Sequence, residues 1–595
     1  MKSLFHPYIE VKTGDGKILL REKMRIRKVL SAAVALGLMS SMSWVQAAPT
    51  VPDPLQSQNA GQPTAGSLRV DQEQKGRPDV IPSEAEIKVK EAERPALKLP
   101  NELKVQVNGF KLSGQLIYPE AELMPMLESS KGKLMNFGDL QQLADKLTNY
   151  YKSKGYIAAK VYLPVQKITN GIVEYSVVVG KFDNIQIENH TTIHDSALWR
   201  EIGSLKKGDY IHKDEIERAV WLLSDLAGAD AKLTIAQGDE AGTSNMVIEL
   251  RPHIGKNGAF YIDNYGTRST GYNEFGISYD FLNLAHEGDH LALDAVTTGS
   301  SLYNGSINYT IPVLKDGLTF NMGYSLLHYD LGSEYSYLDA YGTSRVFHFG
   351  FDYAIQRSRT HNLYAGVRFE NGQLKDEYRK LGITYNDKKS NAGVFSLYGN
   401  EQDSKGATSW RADYKLGNLC FNSAETYKYY GKANTEGGFS KLNLSIVRRQ
   451  DINRRLYVLL SARGQYSSKN LDSSERMSLG GMNGVRAYPT SEASGDIGYF
   501  TRAELHWLLP LKKQDQSLQF LAYLEHGGVQ INKSSFSTDQ NYRKLQGCGI
   551  GLLWSRQNDW WLRTDYAWRL GAEPAVSDPG RRSNGHFWIQ GGIYF

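Results

Sequence analysis

The sequence predicts two small α+β domains followed by a transmembrane antiparallel β-barrel of about 16 strands. Three observations lead to this fold class: an N-terminal export signal, apolar residues at helical spacing between residues 104 and 255, and alternating polar and apolar residues from there onward. Such alternation fits a barrel wall that separates lipid from a wet lumen. A barrel that closes on itself also leaves no unpaired strand edge in the membrane.

The composition narrows the class of protein. The chain has 595 residues, 36 of them Tyr, with a formal charge of +5 and a mean hydropathy of −0.45. Abundant aromatic residues argue against disorder, and outside the N-terminus no run approaches the ~20 apolar residues of a spanning helix. Residues 1–47 hold eight basic and three acidic groups, which account for the whole net charge of +5, because the remaining residues hold 61 groups of each sign. The charge therefore does not indicate nucleic-acid binding, and we expect no nucleic-acid partner.

Residues 1–47 have the pattern of a secretory signal peptide. A basic segment precedes the apolar stretch Val29–Met39, and small residues around Ala47 form a small-x-small cleavage site. We expect cleavage after Ala47 or one residue later. Met24 would start a signal of ordinary length, in which case residues 1–23 are an upstream start-site error; otherwise they form a long basic region. The alternative, a membrane anchor, is disfavoured because the apolar run is too short.

Residues 48–103 predict a tether, because they are rich in Pro, Gln, Glu and Lys and poor in aromatic residues. A helix is expected near Glu84–Glu93. Two α+β domains follow, at residues 104–181 and 182–255. Both have the order strand, helix, helix, strand, strand, which suggests an internal duplication.

The elements of these two domains follow from hydrophobic spacing and turn residues. In the first domain they are a strand at Lys104–Phe110, a helix at Pro119–Leu127, a helix through Leu140, Leu143, Ala144, Leu147 and Tyr151 that ends at Gly155, and strands at Ala158–Ile168 and Gly171–Phe182. In the second domain they are Phe182–Ile187, Ser196–Ile202, Lys213–Leu226, Lys232–Ala236 and Met246–Leu250.

Residues 256–595 predict the barrel, because they show many short alternating segments and no convincing amphipathic helix. The C-terminal strand carries Phe587, Ile589, Ile593 and Phe595 on its apolar side. Many Tyr and Trp residues near strand ends suit an aromatic girdle. Residues 258–595 allow about 21 residues per strand and connection for 16 strands, and 14 or 18 strands remain open. A soluble all-β sandwich or propeller is the alternative, disfavoured by the export signal and the aromatic last strand.

Three stretches of sequence are similar to a known family. They are LQQLADKLTNYYKSKGYIAAKVYLPVQKITNGIVEYSVVVG (Leu140–Gly180), FYIDNYGTRSTG (Phe260–Gly271) and GGMNGVRAYPTSEASGDIGYFTRAEL (Gly480–Leu505). Through them the chain resembles the two-partner secretion transporters of the bacterial outer membrane (TpsB type, haemolysin secretion/activation protein-like, ShlB/FhaC/HecB-like). The resemblance covers nearly the whole mature chain. It implies that both α+β domains are periplasmic polypeptide-transport-associated (POTRA) domains, and that the tether contributes a plug helix, as in relatives.

The resemblance also implies a loop around residues 480–500 that folds back into the barrel. Its tip would be Val485, Arg486, Ala487 and Tyr488. We predict an ion pair between Arg486 and Glu525, on a strand segment that includes Gly527, because a lumenal loop needs a specific contact to offset its ordering entropy. Two positions depart from the family pattern. Ala487 replaces Gly, which is strained if the loop needs a positive φ, and Glu525 replaces Asp, which lengthens the reach by one methylene. A solvated loop arginine is the alternative reading of Arg486.

The implied function is export of an unfolded exoprotein. The POTRA domains would capture this partner by strand addition or in helix grooves near Lys213–Leu226, and the barrel pore would secrete it. The implied partners are one large exoprotein with an N-terminal secretion domain (an adhesin, a haemolysin or a contact-dependent toxin), outer-membrane lipid, and the barrel-assembly machinery during biogenesis. Three alternatives remain: a barrel-assembly insertase, which would usually carry more POTRA domains, a passive porin, which would not need them, and a barrel-embedded hydrolase.

The remaining motifs give no support for catalysis or cofactor binding. The 13 His residues lack ligand spacing, and there is no Gly-x-Ser-x-Gly motif. Gly547, Gly549 and Gly551 mimic part of a dinucleotide motif, but they fall in a predicted strand with no following helix. We expect no enzyme activity, no metal and no cofactor.

Two further features have plain structural interpretations. Cys420 and Cys548 are expected to be isolated thiols, although pairing in an oxidising compartment stays open. Two arginine pairs, Arg448–Arg449 and Arg454–Arg455, flank a predicted turn. A solvated turn is expected, and the alternative is a basic turn that meets the chain entering the pore.

Overall fold

The computed structural model describes residues 63–73, 86–89, 104–240, 242–513, 515–579 and 583–595. The expected signal peptide and its cleavage site lie outside the described residues. Within the described ranges, none of the helices has the length and apolar character needed to cross a membrane.

The tether contributes two short elements. Helix α1 spans Ala65–Glu73 and strand β1 spans Glu86–Val89. The expectation of a helix near Glu84–Glu93 is wrong over residues 86–89, because these residues pair in parallel with Lys232–Ile235. An edge strand carries unpaired backbone N–H and C=O groups, and an adjacent extended segment satisfies them better than a helix could.

The first α+β domain packs one long helix on a three-stranded sheet. Its elements are β2 (Lys104–Gln106), β3 (Gly109–Gly114), α2 (Glu120–Leu123), α3 (Pro125–Glu128), β4 (Leu134–Asn136), α4 (Phe137–Ser153), β5 (Lys160–Tyr162) and β6 (Ile172–Val178), with the sheet order β3-β6-β5. Helix α4 starts with a capping box in which the side chains of Asn136 and Asp139 each accept the other residue's backbone N–H. Its buried face is the predicted set Leu140, Leu143, Ala144, Leu147 and Tyr151.

Three elements of this domain differ from the sequence prediction. The strand expected over Lys104–Phe110 is broken after Gln106 into β2, which pairs with β4, and β3, which pairs with β6. The helix expected over Pro119–Leu127 is divided, because Pro125 occupies the first turn of a new helix, α3. The strand expected over Ala158–Ile168 is reduced to Lys160–Tyr162. Pro164 cannot donate to a strand ladder, which is consistent with this early end.

The second α+β domain has the same arrangement with one strand added. Its elements are β7 (Lys181–Asn189), α5 (Asp195–Glu201), α6 (Lys213–Ser224), β8 (Ala229–Gln237) and β9 (Thr243–Pro252). The sheet order is β1-β8-β9-β7, so β7, β9 and β8 correspond to β3, β6 and β5 of the first domain. Strand β1 of the tether lies on the β8 edge. The tether and the second domain therefore share one sheet.

The barrel has 16 strands and is closed, as predicted from the sequence. In chain order the elements are β10 (Gly258–Asp263), β11 (Glu274–Leu282), β12 (His290–Thr297), β13 (Leu302–Pro312), β14 (Leu318–Asp330), β15 (Ala340–Arg357), β16 (His361–Tyr378), β17 (Ile383–Asp403), β18 (Gly406–Phe421), α7 (Ala424–Tyr430), β19 (Gly437–Asn453), β20 (Leu456–Ser467), β21 (Met477–Ser478), β22 (Ser494–Gly495), β23 (Ile497–Leu509), β24 (Gln516–Gln530), β25 (Tyr542–Arg556), β26 (Trp560–Arg569) and β27 (Gly585–Tyr594). The short strands β21 and β22 form a separate two-stranded sheet within a loop.

Closure joins the last strand to the first. Strands β27 and β10 pair antiparallel, with Tyr594 opposite Ala259. The backbones of Phe595 and Gly258 exchange hydrogen bonds of 2.9 and 3.0 Å. Along β15, Phe347, Phe349 and Phe351 are exposed at alternate positions, as a wall that faces lipid requires.

The second α+β domain is docked on turns of the barrel. Arg218 pairs with Asp316 at 3.2 Å, and the bidentate pair between Arg357 and Asp225 has both contacts at 2.7 Å. The backbone N–H of Gly317 donates to Glu201 at 2.9 Å. These contacts tie the domain to the turns after β13 and β15.

Candidate functional site: a lumen filled by a helix and an inserted loop

The connection between β20 and β23, residues 468–496, folds into the barrel lumen and is called the inserted loop. Its tip contains Val485, Arg486, Ala487 and Tyr488, all buried. Arg486 is one of the largest fully buried side chains among the described residues, with 0% exposure. A buried arginine is costly unless its charge and its N–H groups are paired.

Arg486 is paired with carboxylates from three barrel strands. Its Nε contacts Glu525 Oε1 on β24 at 2.6 Å, and its Nη1 contacts Asp565 Oδ1 on β26 at 2.8 Å. Its Nη2 donates to Glu504 on β23. The guanidinium also lies over the ring of Tyr523, 3.4 Å from its centroid. Arg486 and its three carboxylates are called the tip cluster.

The contact with Glu525 differs in detail from a fork-to-fork pair. Glu525 Oε1 accepts the side-chain Nε of Arg486, while Oε2 accepts the backbone N–H of Arg486 at 2.7 Å. One carboxylate therefore fixes both the backbone and the side chain of the loop tip. On the other side, Trp588 Nε1 donates to the carbonyl of Arg486 at 2.7 Å.

The charges in and around the tip cluster are balanced. Arg502 Nε contacts Glu525 at 2.7 Å, and Arg563 Nε contacts Asp565 at 2.8 Å. Three arginines thus face three carboxylates in one buried site. Such balance offsets the desolvation that would otherwise make the arrangement unfavourable.

The wall opposite the loop tip is lined by glycines, which make room for the tip. A Cβ at Gly547 would lie 2.7 Å from Ala487 Cβ, and a Cβ at Gly527 would lie 2.9 Å from Leu479 Cδ2 of the same loop. Gly547, Gly549 and Gly551 lie within strand β25, where they border the loop tip, Tyr523 and Asp565. Ala487 is not among the residues with a positive φ, so its backbone does not need glycine. In this loop the left-handed conformation occurs at Gly481 and Ser491.

Helix α1 also lies inside the lumen. The N–H of Ala65 donates to Asp376 Oδ1 on β16 at 2.9 Å, and Gln72 Nε2 donates to Glu274 Oε1 on β11 at 2.9 Å. These strands are five positions apart around the wall, so the helix spans the part of the lumen between them. Leu68 is buried with Leu327, Tyr329 and Leu374 of the wall.

The helix and the inserted loop contact each other. Thr64 Oγ1 lies 2.8 Å from Ser473 Oγ, and Ser491 Oγ donates to Asp71. A Cβ at Gly66 would lie only 2.8 Å from the backbone N of Ser474. The two elements therefore fill the lumen as one packed unit.

The C-terminal strand contributes to both faces of the wall. Phe587 and Phe595 are exposed on the outer face, and Ile593 pairs with Phe260 of β10. Ile589 pairs with Thr564 of the preceding strand. The sequence analysis missed Trp588, which points inward to the loop tip between these apolar positions.

The sequence analysis named Arg486 and Glu525 but not Glu504 or Asp565. The signal in the sequence was positional, because each acid lies three residues before a Trp in an alternating strand: Glu504 before Trp507, and Asp565 before Trp568. Which inward-facing acids meet the loop depends on barrel register, and the sequence does not give that register.

The two remaining motifs are structural. Cys420 and Cys548 are free thiols, as expected. Residues Arg454 and Arg455 form the turn between β19 and β20, and Arg448 pairs with Asp403 at 2.8 Å.

Comparison with known proteins identifies the family. The family model described as haemolysin secretion/activation protein ShlB/FhaC/HecB matches residues 242–553. The chain belongs to this family. It is therefore a two-partner secretion transporter of the outer membrane, and it secretes a partner exoprotein. A model of the ShlB-type POTRA domain matches residues 105–180, which places this domain in the periplasm.

Relatives and solved structures agree with this family. The heme/hemopexin transporter protein HuxB of Haemophilus influenzae (strain 86-028NP) is 27% identical over 95% of this chain and 99% of its own length. The outer membrane transporter CdiB of Dickeya dadantii (strain 3937) is 24% identical over 70% of this chain and 74% of its own. The structure of CdiB from Escherichia coli matches with a TM-score of 0.68 at 19% identity, over 85% of this chain and 93% of the other.

Proposed function

We propose that this transporter rests in a closed state, and that it exports its partner only after helix α1 and the inserted loop leave the lumen. The observation that carries this proposal is the buried tip cluster beneath a helix that lies in the same lumen. An extended chain cannot share that space. Opening must therefore break the contacts of Arg486 with Glu504, Glu525 and Asp565.

In this proposal Val485, Arg486, Ala487 and Tyr488 form the anchor of the loop. Glu525 is its barrel-wall partner, and Gly527 leaves the space for the loop. The geometry supports this role because the carboxylate of Glu525 holds both the backbone and the side chain of Arg486. A carboxylate that binds both groups at once restrains the orientation of the loop tip and also stabilises it.

The second α+β domain would act as a second POTRA domain, and the partner would be captured by strand addition. Backbone hydrogen bonds would give affinity, and alternate side chains would give specificity. Strand β8 is a candidate edge, where the chain's own β1 pairs with only four residues, Lys232–Ile235. Helix α6, the other candidate surface, is partly taken by the barrel: Arg218 binds the turn at Asp316, and Trp221 packs under Arg357.

The partner would be a large exoprotein with an N-terminal secretion domain, such as an adhesin, a haemolysin or a contact-dependent toxin. A relative that aligns over 99% of its own length is named as a heme/hemopexin transporter. An exoprotein that acts on heme or hemopexin is therefore the first partner to test. The barrel-assembly machinery would insert the barrel into the membrane.

No nucleotide is needed in this scheme. Folding of the partner outside the cell removes extended chain from the transport equilibrium, and this biases movement outward. The transporter would act as a gated path and would carry out no chemical reaction.

A secretion assay tests the proposal. Cells would express the exported protein encoded beside this chain, together with wild-type transporter, with no transporter, or with the Arg486→Ala variant, and the partner in the medium would be measured. We expect export only with the transporter, and less export with Arg486→Ala than with wild type. A matched control is Arg449→Ala, because Arg449 is exposed and contacts Asp451 of its own strand at 2.9 Å and the ring of Tyr457, away from the loop tip.

Three outcomes would contradict the proposal. Export that does not depend on the chain, with the barrel correctly inserted, would favour an insertase or a passive porin. Export that depends on the chain but is unchanged by Arg486→Ala would support the transporter function and contradict the anchoring role of the loop tip. Turnover of a substrate in detergent that is lost on a single Ser or His substitution would establish a barrel enzyme.

A further inference from the structure

The stem of the inserted loop has charged contacts of its own, on barrel strands that do not carry the tip cluster. A short turn at Ser473–Glu475 and the residue that caps it, Asp472, supply two buried carboxylates. Asp472 Oδ2 lies 2.6 Å from Lys388 Nζ on β17. Glu475 lies 2.7 Å from Lys415 Nζ on β18 and 2.9 Å from Lys441 Nζ on β19. These five residues are called the stem cluster.

The stem cluster is paired and desolvated. Lys388 is fully buried, and its Nζ also lies 3.4 Å from the centroid of the Tyr430 ring. Lys415 Nζ also contacts the carboxylate of Glu370 on β16, at 2.7 Å. Burial by itself would raise the pKa of Glu475, but the ammonium groups of Lys415 and Lys441 hold that pKa well below its ordinary value. The carboxylate is therefore ionised and held by two cations.

Helix α1 lies directly over this stem and closes it off from the lumen. Arg69 Nη2 donates to the carbonyl of Ser474 at 2.9 Å, and Thr64 contacts Ser473. Gly66 packs so closely that it has no space for a Cβ against Ser473 and Ser474. The helix is thus the cover that keeps water from the lysine–carboxylate pairs. Ion pairs in a dry site are strong, and the same pairs in water are weak.

From this geometry we propose that the stem cluster is a second anchor of the inserted loop, which holds only while helix α1 covers it. This inference rests on the proposed function, because it concerns how the same lumen is opened. It sets an order of events. The helix leaves first, water reaches the stem cluster, the stem loosens, and the tip cluster is the last contact to break.

The test measures the opening of the stem with and without its cover. Cys420 and Cys548 would be replaced by Ser, and Ser478→Cys would serve as reporter; Ser478 is buried, and within the described residues its hydroxyl has no hydrogen-bond partner. The rate at which a membrane-impermeant maleimide labels this cysteine on intact cells would be measured. The Lys388→Met variant removes one charge of the stem cluster and keeps most of the side-chain packing. Deletion of residues 63–73 removes the cover.

We expect Lys388→Met alone and the deletion alone each to raise the labelling rate about tenfold or more. Combined with the deletion, Lys388→Met should raise the rate by no more than about a further twofold, because a hydrated stem cluster no longer holds the loop. Two controls belong to the same strand: Lys389→Met, at an exposed position, should leave the rate unchanged, and Lys388→Arg should retain slow labelling. Barrel folding would be checked by heat-dependent gel mobility.

Two results would overturn the inference. If Lys388→Met leaves the rate unchanged in a folded barrel, the stem cluster is not an anchor. If the effects of Lys388→Met and of the deletion multiply, the anchor does not depend on the helix. Export of the partner, measured in the same cells, reports on the proposed function separately, since wild type that fails to export would reject that function whatever the labelling shows.

Discussion

Removal of the Arg486 guanidinium is the most informative single perturbation of the tip cluster. The Arg486→Ala variant leaves Glu504, Glu525 and Asp565 buried, with exposures of 0 to 3%. Arg502 still contacts Glu525, and Arg563 still contacts Asp565 and, at 3.7 Å, Glu504. The buried site formed by the tip cluster, Arg502 and Arg563 would therefore change from three arginines facing three carboxylates to two arginines facing three carboxylates.

The size of the effect follows from that imbalance. Breaking a buried ion pair by removing one partner typically costs about 3–5 kcal/mol. If this cost falls on the anchored state alone, the equilibrium between anchored and released loop shifts about 150- to 5,000-fold toward release. This is an upper range, because the remaining arginines and Trp588 still hold part of the tip in place. The Arg486→Lys variant keeps the charge, but one ammonium cannot reach three strands, so an intermediate effect is expected.

Ion conductance in planar bilayers measures this shift, because a released loop opens the lumen. We expect Arg486→Ala to show longer and more frequent openings than wild type, with Arg486→Lys between them and Arg449→Ala equal to wild type. Heat-dependent gel mobility would confirm that each barrel is folded. Conductance of a folded Arg486→Ala barrel that matches wild type would refute the reasoning, since it would mean that the tip cluster does not hold the loop.

Three further predictions follow from other contacts. Gly547→Leu should raise conductance, because its side chain would collide with Ala487 of the loop tip, whereas Gly393→Ala, with nothing within 4 Å of its Cβ, should not. Deletion of residues 63–73 should raise conductance, and unchanged conductance would count against a plugging role. Burial raises the pKa of Glu201 at the interface between the second α+β domain and the barrel, so the docked state favours the protonated acid. The contribution of Glu201 to docking should therefore be largest at low pH and be lost as the pH rises through that raised pKa; spin-label distances across the interface over about pH 4–8 should show this as a difference between wild type and Glu201→Gln.

The sequence could predict the barrel because its signal is local. Alternation along single strands, such as Phe347, Phe349 and Phe351, marks the lipid face one strand at a time. Closure of the wall then follows from the need to leave no open edge, whereas the chain length favoured 16 strands and left 14 and 18 open. Helix α4 was equally predictable from the sequence, because the residues of its buried face recur at helical spacing.

The parts of the fold and of the site that the sequence did not predict depend on contacts between distant segments. Strand β1 exists through pairing with β8, about 146 residues later by register, and its own sequence resembles a polar tether. Glu504 and Asp565 join Arg486 only because three strands have a particular register. Local pattern predicts the type of an element well, but it does not predict which polar groups meet inside a closed wall.

A reversible disulfide between helix α1 and the inserted loop tests the central claim most directly. Thr64 and Ser473 have side-chain oxygens 2.8 Å apart, so cysteines at both positions should pair without large movement. In a background in which Cys420 and Cys548 are replaced by Ser, oxidised Thr64→Cys/Ser473→Cys transporter should stop exporting its partner, and reduction should restore export. Export by the oxidised transporter at the rate of the reduced one would contradict the claim that the helix must leave the loop before the lumen opens.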